Sequence, residues 1–254
     1  MKCPNCGSEV TKRTPDGRYK CSACLSTFSE SEQKVQGNNM TKTVFDIIMK
    51  NKKHVESRFN TEMSGEELYE DSIAAVAEIL CVDLNSAGSG FVVSCNGYVI
   101  TNAHVILDDR GNVTNNVYCR INGEVIESVV IAYGNTNGLD IALLQLSQMS
   151  NNIKWVKLGN SDNVKIGSTV YAIGNSLGEG LCITKGIISD KDRMVMGCSC
   201  IMADVATNHG NSGGPLFDTS GEVIAICVAG IDGAAGMRYF IPINLAKKAF
   251  DKYI

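Results

Sequence analysis

The chain of 254 residues has no excess of positive charge: 23 Lys and Arg stand against 27 Asp and Glu, a formal net charge of −4. Nucleic-acid binders attract phosphate with a basic field, so nucleic acid is disfavoured as a partner from the start. No apolar run approaches the roughly 20 residues that a membrane helix needs. The opening MKCPNCGSEV also lacks the apolar stretch of a secretory leader. These absences lead to the expectation of a cytoplasmic protein that touches no membrane. What the chain does have is 44% hydrophobic residues, enough for a full core in one large domain with small units beside it. Cysteine is plentiful at eleven, an odd number. Four of these are paired at the amino terminus, which reads as metal ligation in a reducing compartment rather than as a disulfide framework.

Three parts are visible along the chain. Residues 1–28 carry Cys3-Pro-Asn-Cys6 and Cys21-Ser-Ala-Cys24. Thiolates two residues apart on a tight turn fill two corners of a tetrahedron, and a second such turn fills the others, so Cys3, Cys6, Cys21 and Cys24 are expected to hold one zinc ion. Between them Thr14-Pro-Asp-Gly17 is a turn signal that would fold the spacer into a hairpin. The segment is similar to the zinc ribbons of many unrelated proteins. Its five basic and two acidic residues are offset by the roughly −2 of zinc with four thiolates. A docking role toward a protein partner is therefore expected. Residues 29–64 read as a polar linker with a weakly amphipathic helix near TVFDIIMKNKKHVESRF, where His54 is expected to be solvated. Ser64-Gly-Glu-Glu67 matches a capping box and predicts a helix start there.

From about residue 76 the pattern becomes short strands: EILCVDL, GSGFVVS, GYVIT, VYCRI, EVIESVVIAY, DIALLQL, STVYAIG, LCITKGIIS, SCIMADV, EVIAICVAG and RYFIPI. Each is rich in β-branched residues, and most are bounded by Gly, Asn or Asp. No helical crossovers separate them, which suits a βαβ sheet less well. The expected fold class is mainly β, with residues 65–254 forming a pair of small barrels or a large sandwich.

NHGNSGGPL, residues 208–216, raises the question of chemistry. A serine hydroxyl is a weak nucleophile; it needs a base for its proton and donors aimed at the oxyanion formed when a carbonyl is attacked. A glycine at 210 lets the amides of Gly210 and Ser212 point into one hollow beside Asn211. His104 follows the apolar strand GYVIT. Asp140 precedes an apolar run that would draw its carboxylate into low dielectric, where an imidazole N–H would satisfy it. Histidine, aspartate and serine in that order is the chymotrypsin-type arrangement.

With GSGFVV, TNAHV, DIALL, YAIGNSLG, GIIS, GNSGGPLFD and RYFIPIN in sequence, the segment from about 66 to 250 resembles the protease domain of the HtrA/Deg family of trypsin-like serine proteases. The resemblance implies a two-barrel chymotrypsin-like fold, barrel one running to about 147 and barrel two over about 155–245. It also implies His104 as base and then acid, Asp140 fixing its tautomer, Ser212 as nucleophile, and an oxyanion hole at Gly210, Asn211 and Ser212. Protein or peptide substrates follow, and no cofactor is implied for catalysis. A homotrimer is common in the family, but no motif here decides the assembly.

Three departures limit the carry-over. Residues 213–254 barely complete the second barrel, so no PDZ domain is expected; the ribbon is expected in its place. Asn211 stands where digestive enzymes carry an aspartate that pairs with a new amino terminus. His209 sits too close to the nucleophile on its own loop to serve as base. By resemblance, Ala206 lies near the floor of the primary pocket, and Val228, Ala229, Gly230 and Ile231 line a wall. No acidic residue is expected at that floor, so cleavage after small or medium aliphatic residues is expected. The alternative is a latent module with a collapsed oxyanion loop that binds or senses through its ribbon. The cysteines outside the ribbon, Cys198 and Cys200 included, are read as core or loop residues rather than as a second metal or redox site.

Overall fold

In the computed structural model, which describes residues 1–2, 12–20, 27–29, 62–228 and 237–254, the chain falls into two units, Met1–Thr61 and Glu62–Ile254. In the first, the predicted turn is present: Gly17 N–H donates to Thr14 O at 2.9 Å and Thr14 N–H to Arg18 O at 2.8 Å. Strand β1 (Tyr19–Lys20) pairs antiparallel with β2 (Thr27–Phe28), and the Tyr19 and Phe28 rings stack. The four expected zinc cysteines, His54 and the expected linker helix lie outside the described residues.

The second unit opens with the predicted capping box. Ser64 Oγ accepts from Glu67 N–H at 3.2 Å, and Glu67 returns a carboxylate to Ser64 N–H at 2.9 Å. Helix α1 (Gly65–Ser72) follows and buries Leu68 completely. It gives way to a short 3-10 turn over Ile73–Ala75, after which Val76 begins a strand. From there the alternation read in the sequence becomes pleated strand.

Strands β3 (Val76–Cys81), β4 (Ser86–Val92), β5 (Tyr98–Thr101), β6 (Val117–Ile121), β7 (Glu124–Tyr133) and β8 (Ala142–Leu146) close into a barrel in the order β3-β4-β5-β8-β7-β6. Closure leaves no edge for another strand to pair with. The second sheet holds β9 (Lys157–Leu158), β10 (Thr169–Asn175), β11 (Leu181–Val195), β12 (Cys198–Ala203), β13 (Pro215–Asp218), β14 (Glu222–Cys227) and β15 (Arg238–Pro242). Its order is β13-β10-β11-β12-β15-β14-β9, and an added β13–β14 pairing joins six of these into a second ring. The fold is thus mainly β with two barrels, as expected.

Each ring has its own interior, around Ile79, Val99, Cys119 and Leu144 in the first and Ile201, Leu216 and Phe240 in the second. A third cluster is built from both: Phe91, Ile100 and Leu143 of barrel one pack with Ile173, Phe217 and Ile226 of barrel two. Helix α3 (Ile243–Ala249) adds Ile243 and Ala246 to that junction. Three elements escape the strand pattern of the sequence: β9, β13 and α3. Strands β9 and β13 are short, and in the sequence PLFD of β13 forms the tail of the serine motif. Strand β11 also runs on to Val195, past the predicted segment, because Met196 and Gly197 at positive φ form the turn into β12.

Candidate active site

Register sets the first part of the site. Strands β5 and β8 pair antiparallel with Thr101 opposite Ala142, so the residues just beyond, 102–104 and 140–141, are neighbours. Helical turn α2 (Ala103–Ile106) begins there. The first amides of a helix have no partner inside it, and Asp140 supplies one: its Oδ1 accepts from His104 N–H at 2.9 Å. Its Oδ2 lies 2.6 Å from His104 Nδ1. Asn102 Nδ2 donates to the Asp140 backbone oxygen at 2.7 Å and fixes the strand end itself. The Asp140 side chain is buried at 8% exposure, whereas that of His104 keeps 36%. One edge of the ring is therefore anchored and the other open to a ligand.

Barrel two brings the serine motif to the same place. Ser89 N–H on β4 donates to Ser212 O at 2.7 Å, and a Cβ at Gly88 would touch both Val105, next to His104, and Ser212 O. Gly213 lies at φ +83 against Thr101 and Asn102, where no side chain would fit. Ser212 is buried at 7%. Among the described residues, no hydrogen bond joins its hydroxyl to His104. Such contacts in unliganded sites often tighten only with substrate.

Gly210 lies at φ +93, and a Cβ there would strike the Asn175 carbonyl oxygen. The peptide ahead of Gly210 is held by Leu177 N–H, which donates to His209 O at 2.8 Å; the peptide ahead of Ser212 is held by Gly214 N–H, which donates to Asn211 O at 2.9 Å. Among the described residues, neither Gly210 N–H nor Ser212 N–H donates to a protein acceptor. Two oriented, unspent donors flanking a serine can take up an oxyanion. The side chain of Asn211 is buried. His209 is exposed.

The expected pocket residues are less gathered. Ala206 is exposed, with its carbonyl accepting from Thr184 Oγ1 at 2.9 Å. Val228 is half-buried, and its N–H donates to Tyr239 O. Ala229, Gly230 and Ile231 lie outside the described residues. The acidic side chain nearest in sequence, Asp204, is tied to Ile187 N–H at 2.6 Å. No group of three or more His, Cys, Asp or Glu suited to a metal occurs among the described residues. Cys198 and Cys200 are buried in the junction core, as expected. Ser89, Asn102 and Asn175 stand in GSGF, TNAH and GNSLG, and the sequence expectations assign them no task. The signal was there in the polar residue each motif holds between small or apolar ones.

Two closed six-stranded rings with a histidine–aspartate pair on one and a glycine-framed serine on the other define the architecture of a chymotrypsin-like serine peptidase. Residues 88–226 match the family described as the trypsin-like peptidase domain, and the chain belongs to that family. A probable periplasmic serine endoprotease, DegP-like, of Pseudomonas fulva is 38% identical over 177 residues, covering 67% of this chain and 35% of the relative. One of the same description from Brucella suis is 36% identical over 173 residues, covering 66% and 33%. The chain thus spans about a third of the length of these curated relatives. The crystal structure of the serine endoprotease from Yersinia pestis superposes with a TM-score of 0.64 at 29% identity, covering 76% of this chain and 67% of that one.

These relatives correct the expected cytoplasmic location, because they are named periplasmic. The buried cysteines of the second unit say nothing about compartment. Cys81, Cys119, Cys198, Cys200 and Cys227 are buried as small apolar side chains, and burial pushes the thiols of Cys119 and Cys227 up to about 12. Their number therefore follows packing, not redox compartment.

Proposed function

We propose that this chain is a serine endopeptidase that hydrolyses peptide bonds through an acyl-enzyme. The observation that carries the reading is the doubly bonded pair of Asp140 and His104, with both carboxylate oxygens spent on one residue. In this reading Asp140 keeps the proton on Nδ1 and leaves the Nε2 lone pair free to act as base. Ser212 Oγ attacks the substrate carbonyl carbon as its proton passes to Nε2. The oxygen that becomes negative is met by Gly210 N–H and Ser212 N–H. Collapse breaks the C–N bond, and His104 returns the proton to the leaving amine. A water molecule repeats the sequence on the ester and frees Ser212. The unspent amides, with the His209 carbonyl engaged by Leu177 N–H, support an open loop over a collapsed one.

By the names of the relatives, the substrates are proteins and the location periplasmic. Cleavage after small or medium aliphatic residues is the proposed preference, supported by the Asp204 carboxylate, the nearest in sequence to Ala206, being engaged by Ile187 N–H. A peptide library read by mass spectrometry tests it, and a preference for Arg or Lys overturns it. Cys3, Cys6, Cys21 and Cys24 are proposed to hold zinc, whose role would be to fold the amino-terminal unit. The hairpin turn between the two pairs is compatible with that set, because it returns the chain on itself.

The deciding experiment is labelling with a fluorophosphonate probe beside digestion of unfolded casein. Wild type is expected to be labelled and to digest casein, and Ser212→Ala to do neither. Absence of labelling and digestion in wild type, with the fold intact, would reject the reading.

A further inference from the structure

Ser89 lies on β4 of barrel one, in the motif GSGF, and is completely buried. All of its hydrogen-bonding groups are used, and its hydroxyl and amide reach across the junction between the barrels. Its hydroxyl donates to Gly210 O at 2.6 Å and accepts from Asn175 N–H at 2.9 Å. Its amide donates to Ser212 O at 2.7 Å, and its carbonyl accepts from Thr101 Oγ1 at 2.7 Å.

The two carbonyls that Ser89 holds belong to the two residues whose amides stand unspent. Each N–H lies in the plane of the preceding carbonyl, that of Gly210 with His209 C=O on Leu177 N–H and that of Ser212 with Asn211 C=O on Gly214 N–H. Ser89 holds the peptide plane on the other side of each Cα, and with both planes anchored φ and ψ are set and the N–H keeps its aim. The hydroxyl does this for Gly210, where glycine imposes no conformation of its own. The backbone amide does it for Ser212. Asn211, between them, is held at both ends, its N–H donating to Asn208 O and its C=O accepting from Gly214 N–H.

We propose, resting on the serine-peptidase reading above, that Ser89 is a positioning residue of the oxyanion hole, its hydroxyl fixing the aim of the Gly210 amide from the opposite barrel. It touches no substrate and acts only through the loop. Without the hydroxyl, Gly210 O and Asn175 N–H both lose their partner, and the peptide on the carboxyl side of Gly210 is left with one anchor, Asn211 N–H on Asn208 O. Binding of the ground state is left largely unaffected, because the hole is filled when the carbonyl oxygen becomes negative.

The test is steady-state kinetics of wild type, Ser89→Ala and Ser89→Thr on a chromogenic peptide. Two further measurements accompany it: the melting temperature of each protein, and binding of the same peptide to Ser212→Ala with and without Ser89→Ala. The expected result is a fall in kcat of about 10- to 100-fold for Ser89→Ala, with KM and peptide binding within a factor of three. Ser89→Thr, which keeps a hydroxyl, is expected to recover part of kcat. A kcat of Ser89→Ala within a factor of three of wild type overturns the proposal, as does a loss shared equally by peptide binding and melting temperature. An inactive but folded wild type would instead reject the peptidase reading on which the proposal rests.

Discussion

His104 and Asp140 lie 36 positions apart in the chain and are joined by two hydrogen bonds. The second bond matters for chemistry, since it decides which ring nitrogen carries the proton. Asp140→Asn keeps the shape but can present an N–H where an acceptor is needed, so the ring would turn to the wrong tautomer. We expect kcat to fall by about 10⁴-fold with little change in KM, the scale known for that substitution in the chymotrypsin-type template. Steady-state kinetics on a peptide substrate checks it, and a loss below tenfold would remove Asp140 from its proposed role. At the same scale, burial pushes the thiol of Cys81 up to about 11 and those of Cys119 and Cys227 to about 12. Cys95 and Cys182 are exposed. Alkylation of the native protein at pH 8 followed by peptide mapping is expected to mark Cys95 and Cys182 and to leave Cys81, Cys119 and Cys227 unmarked until the chain is unfolded.

At the scale of elements, strands were legible where alternation and turn residues coincide. VYCRI and EVIESVVIAY match β6 and β7 residue for residue. The capping box gave the start of α1, but its end was decided by Val76, which pairs with Phe91 and so belongs to the barrel. Short β9 has no pattern to read; only pairing with β14 makes it a strand. Loops are clasped by side chains that the pattern cannot rank. Asp83, in the turn between β3 and β4, accepts from Thr114 Oγ1 and from Asn115 N–H, and the Thr114 hydroxyl holds its carboxyl below the usual range. A depressed carboxyl stabilises the fold above its unfolded value of 3.8 and ceases to do so as pH falls through the folded value. The difference in melting temperature between wild type and Asp83→Asn is therefore expected to be present at pH 7 and to close below pH 3.8. A gap that is constant with pH would show that the clasp does not depend on the charge.

At the scale of the molecule, the junction of the barrels decides the site, because the histidine pair and the serine loop come from different rings and meet over Phe91, Ile173 and Phe217. The amino-terminal unit is separate from this. Under the proposed zinc site, Cys21→Ser is expected to lower bound zinc from about one ion per chain to near zero while the melting transition of residues 62–254 stays in place. Metal analysis beside calorimetry checks both; unchanged zinc would reject the ligand set.

The sequence by itself determined the periodicity of the strands, the turn at Thr14–Gly17, the helix start at Ser64 and the residue types at 104, 140, 210 and 212. These depend on local backbone preference and on the chemistry each side chain can perform. Only the tertiary structure decided that the strands close into two rings, that Asp140 spends both oxygens on His104, and that Ser89 grips the serine loop from the other barrel. Those facts depend on pairing between residues tens of positions apart. The pleat tells a strand which face to bury; its partner is chosen by the sum of all the contacts that closure allows.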